Sequence, residues 1–206
     1  MDKIYLATNN IHKKLELEAI LGKKLSIAQD DGIDFDPEET GLTFIENAII
    51  KAKALYDVVK MPVLADDSGL CVKALDGAPG IYTARFGKDE GVTDQKGQNN
   101  LLLKKLENAS DRSASFICSF VLYINDNRIY VVQEEMPGSI SKSEYGLGGF
   151  GYDPIFIAEG QDKTNAELGD EFKNKFSHRA KAARKISKLM EDLWEEVNKK
   201  LKIHGH

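Results

Sequence analysis

The sequence predicts an α/β fold with a mixed β-sheet and flanking helices. Three observations carry this. Short strand-like runs alternate with helical spacing through the N-terminal half. Two longer β-branched and aromatic runs form a hairpin in the middle. No repeat, low-complexity segment or Pro/Ser-rich linker divides the chain. Alternation alone would suggest a parallel sheet; the hairpin makes it mixed. The chain has 206 residues, enough for one domain of at most two lobes. We expect that domain over 1–203, with His204-Gly205-His206 as a disordered tail.

The elements follow in order. Lys3–Ala7 (KIYLA) reads as the first strand. Thr8-Asn9-Asn10 is a polar turn, with Asn10 placed to cap a helix. His12–Leu21 shows helical spacing through Leu15, Leu17, Ile20 and Leu21, and Leu25–Ala28 fits a second strand. Asp30–Gly41 is acidic and polar and reads as a loop. Thr43 and Glu46 make a capping-box pair, so a helix starts there and runs to about Val59. The apolar run Met61–Ala65 is a strand that delivers Asp66-Asp67-Ser68-Gly69 into a turn.

Asp94–Leu106 is a helix weakened by Gly97. Ser113–Ile124 and Arg128–Glu135 are strands joined by Asn125-Asp126-Asn127, and Pro137-Gly138 is expected to break the second. Gly146–Gly151 is a glycine-rich stretch, and Ile155–Ala158 a short strand. A long helix runs from Ser177 to Leu201, with Ile186, Leu189, Met190, Leu193, Trp194, Val197 and Leu201 as its core stripe.

Composition excludes several function classes. The net charge of −5 argues against a nucleic-acid polymer held by general electrostatics. No apolar run reaches the length of a membrane span, so no membrane partner is expected. The N-terminus lacks a signal-peptide layout. Cys71 and Cys118 each sit beside apolar residues and read as reduced, buried thiols, which points to a cytoplasmic setting.

Four segments carry chemistry. Thr8–Lys13 runs from a strand into a helix N-terminus, a place where free amides and the helix dipole attract anions; N-capping by Asn10 is the plainer alternative. The acidic loop with Glu38 and Glu39 precedes a helix on which Asn47 and Lys51 share a face. Asp66, Asp67 and Ser68, with Arg85 nearby, offer hard oxygen donors suited to a divalent cation. Finally, Phe150 and Tyr152 in a glycine-rich loop offer an aromatic face for stacking, with Asp153 free to read a base edge; Ser177-His178-Arg179 opens the last helix.

In order and spacing, ATNNIHK (7–13), EETGLTFIENAIIKA (38–52), ADDSGL (65–70), GAPGIYTAR (77–85), GGFGYDPIF (148–156) and SHRAKA (177–182) resemble the inosine triphosphate pyrophosphatase family. Asn9 stands where relatives often have Gly, and Thr83 where many have Ser. The resemblance implies two lobes with a cleft between them and hydrolysis of non-standard purine nucleoside triphosphates (ITP, dITP, XTP) to the monophosphate and pyrophosphate. It implies Mg²⁺ as cofactor and a homodimer. Asp67 would be the general base and a metal ligand, and Glu38 the second acid at the metal, with Glu39 and Asp66 as alternates. Thr8, Asn9, Asn10, Ile11, His12, Lys13, Lys51 and Ser68 would hold the triphosphate. Phe150, Gly151, Tyr152, Asp153, Lys173, His178 and Arg179 would line the base and sugar end, with His178 and Arg179 as donors to the 6-oxo group.

Two other classes fit less well. A pyrophosphatase of the Maf type would lack the GFGYDP and SHR segments. A non-catalytic nucleotide-binding module would have no need of the acid cluster.

Overall fold

The structure is a computed structural model that describes residues 3–203, those after Leu193 as backbone only. The tail His204-Gly205-His206 and the side chains of Trp194, Val197 and Leu201 lie outside the described residues.

Six strands form one sheet in the order β2-β1-β3-β4-β5-β6. They are β1 (Tyr5–Leu6), β2 (Ser26–Ile27), β3 (Val63–Val72), β4 (Ser113–Asn125), β5 (Arg128–Ile140) and β6 (Phe156–Ala158). β1 runs parallel to β2 and β3, while β3 to β6 are antiparallel, so the sheet is mixed as expected. Among the described residues five α-helices flank it: α1 (Ile11–Leu21), α2 (Phe44–Val59), α3 (Gln95–Lys105), α4 (Asn165–Phe176) and α5 (His178–Ile203).

The caps act where the sequence placed them. Asn10 accepts from the amides of His12 and Lys13, and Thr43 and Glu46 close a reciprocal capping box. Asp94 caps α3 through Gly97, and the Ser177 hydroxyl accepts from Ala180 at the start of α5.

Three expectations change. Asp66-Asp67-Ser68-Gly69 is not a turn but the middle of β3, because β4 pairs with β3 without interruption from Val63↔Tyr123 to Val72↔Ala114. Nor does Pro137 break β5. Its carbonyl accepts from Glu159, so its nitrogen faces the outer side of the strand, before the ladder with β6 begins at Gly138, and no hydrogen bond is lost. The third change is α4, which was not foreseen. Its signal was present in Thr164-x-x-Glu167, a second capping box, and Gly169 (φ 78°) interrupts the helix just beyond it.

The apolar residues divide into three clusters that explain the two lobes. On one face, Leu17 of α1 and Ala183, Ile186 and Met190 of α5 pack on Leu64, Phe120 and Leu122. On the other, Ala48, Ala52 and Leu55 of α2 cover Val63, Ala65 and Val121. The far ends of β3, β4 and β5 form a separate core with α3, built on Leu70, Leu102, Phe116, Tyr152 and Phe156. The acid pair of β3 lies where these cores meet.

Candidate active site

A cavity of about 450 Å³ opens at that junction, a volume in the range of small-molecule sites. Thr8–Asn10, Lys13, Glu39, Lys51, Asp67–Gly69, Arg85, Phe150–Asp153, Lys173, His178 and Arg179 all contribute to its wall. The four chemistry-bearing segments of the sequence therefore meet at one place.

Side chains alternate across a strand, so Asp66 and Asp67 leave β3 on opposite faces. Asp67 faces α2. Its Oδ1 accepts from Lys51 Nζ at 3.1 Å and its Oδ2 from Asn47 Nδ2 at 3.4 Å. Asn47 also accepts from the Gly41 amide at 2.8 Å, which ties the acidic loop to the helix. Burial raises the Asp67 pKa above the ordinary carboxylate value, and Lys51 and Lys13 only partly offset it. A carboxyl of that kind is a stronger base than a free aspartate. For Lys51, burial favours the neutral amine, but Asp67, Asp66 and Glu39 outweigh it and raise its pKa, so it stays an ammonium.

Asp66 faces α1 and α5. It lies 3.0 Å from Lys13 Nζ and 3.6 Å from Arg179 Nε, and accepts from the Ser68 hydroxyl. Burial alone would raise its pKa, but Lys13, Arg179 and Lys51 together hold it well below the usual range. Asp66 is thus a permanent anion that anchors two cations.

The second acid of the cleft is Glu39, 3.0 Å from Lys51 Nζ. Glu38, expected at the metal, is exposed and does not line the cavity. The Lys51 ammonium draws in Glu39 instead. Carboxylates of Asp67 and Glu39 therefore converge on one positive charge, which is the donor chemistry that suits Mg²⁺. No cluster of three or more potential ligands exists among the described residues, but Mg²⁺ commonly takes one or two carboxylates and completes its shell with phosphates and water. The residues present fit that cation.

At the other end, Phe150 is exposed, with Lys173 Nζ 4.4 Å and the Arg179 guanidinium 5.7 Å from its ring centre and His12 stacked at 6.5 Å. His178 is buried and lies parallel to Phe116 at 4.9 Å, and its Nδ1 has no partner. Burial, with Arg179 and Lys173 adding to it, holds its pKa well below the usual value, so it is neutral.

Several side chains differ from their expected roles. Tyr152 is buried in the second core and donates to the Thr83 carbonyl at 3.1 Å, so it offers no exposed stacking face. Asp153 is not free to read a base. Its Oδ2 accepts from Lys173 at 2.6 Å and from the Phe150 amide at 2.9 Å, and its Oδ1 from Asn165 at 3.3 Å. It orders the glycine loop. Arg179 donates to Glu16 at 2.6 Å and to the Ser68 hydroxyl at 2.8 Å, which commits most of its fork. At the first helix, Asn10 takes the His12 and Lys13 amides, and the Asn9 side chain donates to the Phe35 carbonyl. Ile11 and His12 do not line the main cavity; His12 lines a smaller groove that Phe150 also borders.

Glu16, Asn165 and Phe116 escaped sequence reasoning. The signal for Glu16 was its position three residues after Lys13 on one helix face. The other two carry none, since their partners lie far away in the chain. Thr83 keeps the hydroxyl that a serine would supply, and it accepts from the Leu70 amide at 2.9 Å.

The same fold occurs in known proteins. A family model described as "Ham1 family" matches residues 4–189. The dITP/XTP pyrophosphatase of Treponema denticola is 53% identical over 191 residues, covering 91% of this chain and 98% of the relative. That of Aquifex aeolicus is 42% identical over 92% of this chain and 97% of the relative. Among solved structures, the Ham1 protein of Staphylococcus aureus matches with a TM-score of 0.83 at 39% identity, covering 92% of this chain and 98% of that one. A HAM1 protein from Coxiella burnetii matches with 0.85 at 37%, covering 93% and 100%. With its fold and nearly its full length shared with these proteins, this chain belongs to the Ham1 family.

Proposed function

We infer that this chain is a nucleoside triphosphate pyrophosphatase that hydrolyses non-standard purine nucleoside triphosphates to the monophosphate and pyrophosphate. One observation carries the reading most directly. A buried carboxylate, Asp67, faces a cavity whose wall also carries Lys13, Lys51, Lys173 and Arg179. That is a base set among cations, as water attack on a phosphate chain requires. The family and the activity of its dITP/XTP pyrophosphatase relatives agree with it.

The triphosphate would lie along Thr8–Asn10, Lys13, Lys51 and Ser68. Asp67 orients a water against the α-phosphate and accepts its proton as the phosphoanhydride bond breaks. Pyrophosphate leaves with the bonding electrons, and the lysines stabilise its growing charge. We propose Asp67 and Glu39 as the carboxylates that would hold Mg²⁺. When bound, the ion neutralises phosphate charge and lowers the pKa of an attached water. Chelation with EDTA is expected to abolish turnover and added Mg²⁺ to restore it.

The base would stack on Phe150. Neutral His178 can offer one N–H to a 6-oxo group, whereas adenine presents an amine there, and such a mismatch discriminates strongly. We further propose a homodimer in the cytoplasm. The family resemblance supports the first, and two unpaired thiols suit the second. Sedimentation equilibrium tests the dimer.

The decisive assay is pyrophosphate release from ITP, dITP, XTP, GTP, ATP and UTP with Mg²⁺. Expected is a strong preference for ITP, dITP and XTP. Release of orthophosphate, or equal rates on ATP, would overturn the reading.

A further inference from the structure

Five cationic side chains line the cavity, and four of them are already matched to carboxylates: Lys13 to Asp66, Lys51 to Glu39 and Asp67, Lys173 to Asp153, and Arg179 to Glu16. The fifth, Arg85, is exposed at the cavity wall, and no carboxylate lies within ion-pair distance of it among the described residues. Its guanidinium rests 5.0 Å from the ring centre of Tyr82. The backbone leading to it is held at three points. Thr83 Oγ1 accepts from the Leu70 amide, the Thr83 carbonyl accepts from Tyr152, and the Ala84 carbonyl accepts from Gln98 Nε2 at 3.1 Å. A long, charged side chain without a carboxylate partner is thus mounted on a rigid base at the cleft.

We propose that Arg85 binds the leaving pyrophosphate portion of the substrate. The proposal rests on the pyrophosphatase reading above. The paired cations bring their own counter-charges into the site, so they neutralise a triphosphate only in part. Arg85 adds an uncompensated charge, and its planar fork matches two phosphate oxygens at once. Negative charge grows on the departing pyrophosphate, so a guanidinium there stabilises the transition state as well as the bound substrate. The monophosphate product keeps only the α-phosphate, so on this assignment it would lack the groups that Arg85 holds.

The test is calorimetric binding of inorganic pyrophosphate and, separately, of IMP, each with Mg²⁺, to the wild type, Arg85→Ala and Arg85→Lys. Losing a charge-assisted contact is expected to weaken pyrophosphate binding about tenfold or more. Arg85→Lys should recover part of it, and IMP binding should stay unchanged. In parallel, kcat/KM should fall by a similar factor on ITP and ATP. Unchanged pyrophosphate affinity in Arg85→Ala, or a loss confined to IMP, would overturn the assignment. Binding of both products does not depend on turnover, so a wild type that fails to hydrolyse ITP would refute the functional reading and leave the Arg85 result to stand or fall separately.

Discussion

Asp66 and Asp67 are neighbours in the chain and occupy opposite faces of β3: Asp66 pairs with Lys13 and Arg179, Asp67 with Lys51 and Asn47. One strand thereby anchors cations from α1 and α5 on one side and from α2 on the other. The two acids do different work. Burial makes Asp67 a stronger base, while two adjacent cations keep Asp66 ionised.

Conservative amides separate these roles. Asp67→Asn should abolish pyrophosphate release, a loss of at least about a hundredfold for removal of a general base, with the circular dichroism spectrum retained. Asp66→Asn leaves Lys13 without its counter-charge and Arg179 with Glu16 alone. It should cost about 3–5 kcal/mol of stability by urea denaturation. If Asp67→Asn turned over at near-normal rate, the assignment of the base would pass to Glu39, which also lines the cavity.

Base-end and phosphate-end residues should differ in selectivity. His178→Ala is expected to reduce kcat/KM for ITP by about 1–3 kcal/mol and to leave ATP less affected, because only the 6-oxo group gains the hydrogen bond. Lys51→Ala should lower both substrates together. Arg179→Ala should also lower both, and destabilise the fold, since its fork is spent on Glu16 and Ser68 rather than on a base. A selective loss of ITP activity in Arg179→Ala would return that residue to the base pocket.

His178 should make stability depend on pH. Its folded pKa lies below the unfolded value, so between the two the unfolded chain binds the extra proton. Its contribution is complete above the unfolded pKa of about 6.5 and is lost as pH falls below it. Urea midpoints measured from pH 8 to pH 5 should drop more steeply for the wild type than for His178→Gln. Parallel curves would mean that the imidazole is not buried in its neutral form.

Gly69 is needed for close packing. A Cβ there would strike the Gly80 carbonyl and approach Phe44 Cε1 to 2.9 Å. Gly69→Ala should push the segment bearing Thr83 and Arg85 off β3, at about 1–3 kcal/mol, and slow hydrolysis. A variant with unaltered melting temperature and rate would show that this segment can shift freely.

The sequence by itself determined whatever is local in the chain. Asn10, Thr43, Asp94 and Ser177 mark helix starts because a cap is made within a few residues, and the central hairpin shows in two β-branched runs around a polar turn. The order of six motifs sufficed to indicate the cleft and its reaction. Only the tertiary structure decided which groups in that cleft are free. Arg179 is engaged by Glu16, 163 residues away, and Asp153 by Lys173, 20 away. Tyr152 sinks into the second core, while Phe150, two residues earlier, stays exposed. Asp66 and Asp67 read as one turn until β4 pairs along them and sends them to opposite faces. Such outcomes depend on partners brought together by the sheet, and a side chain's own neighbours in sequence carry no record of them.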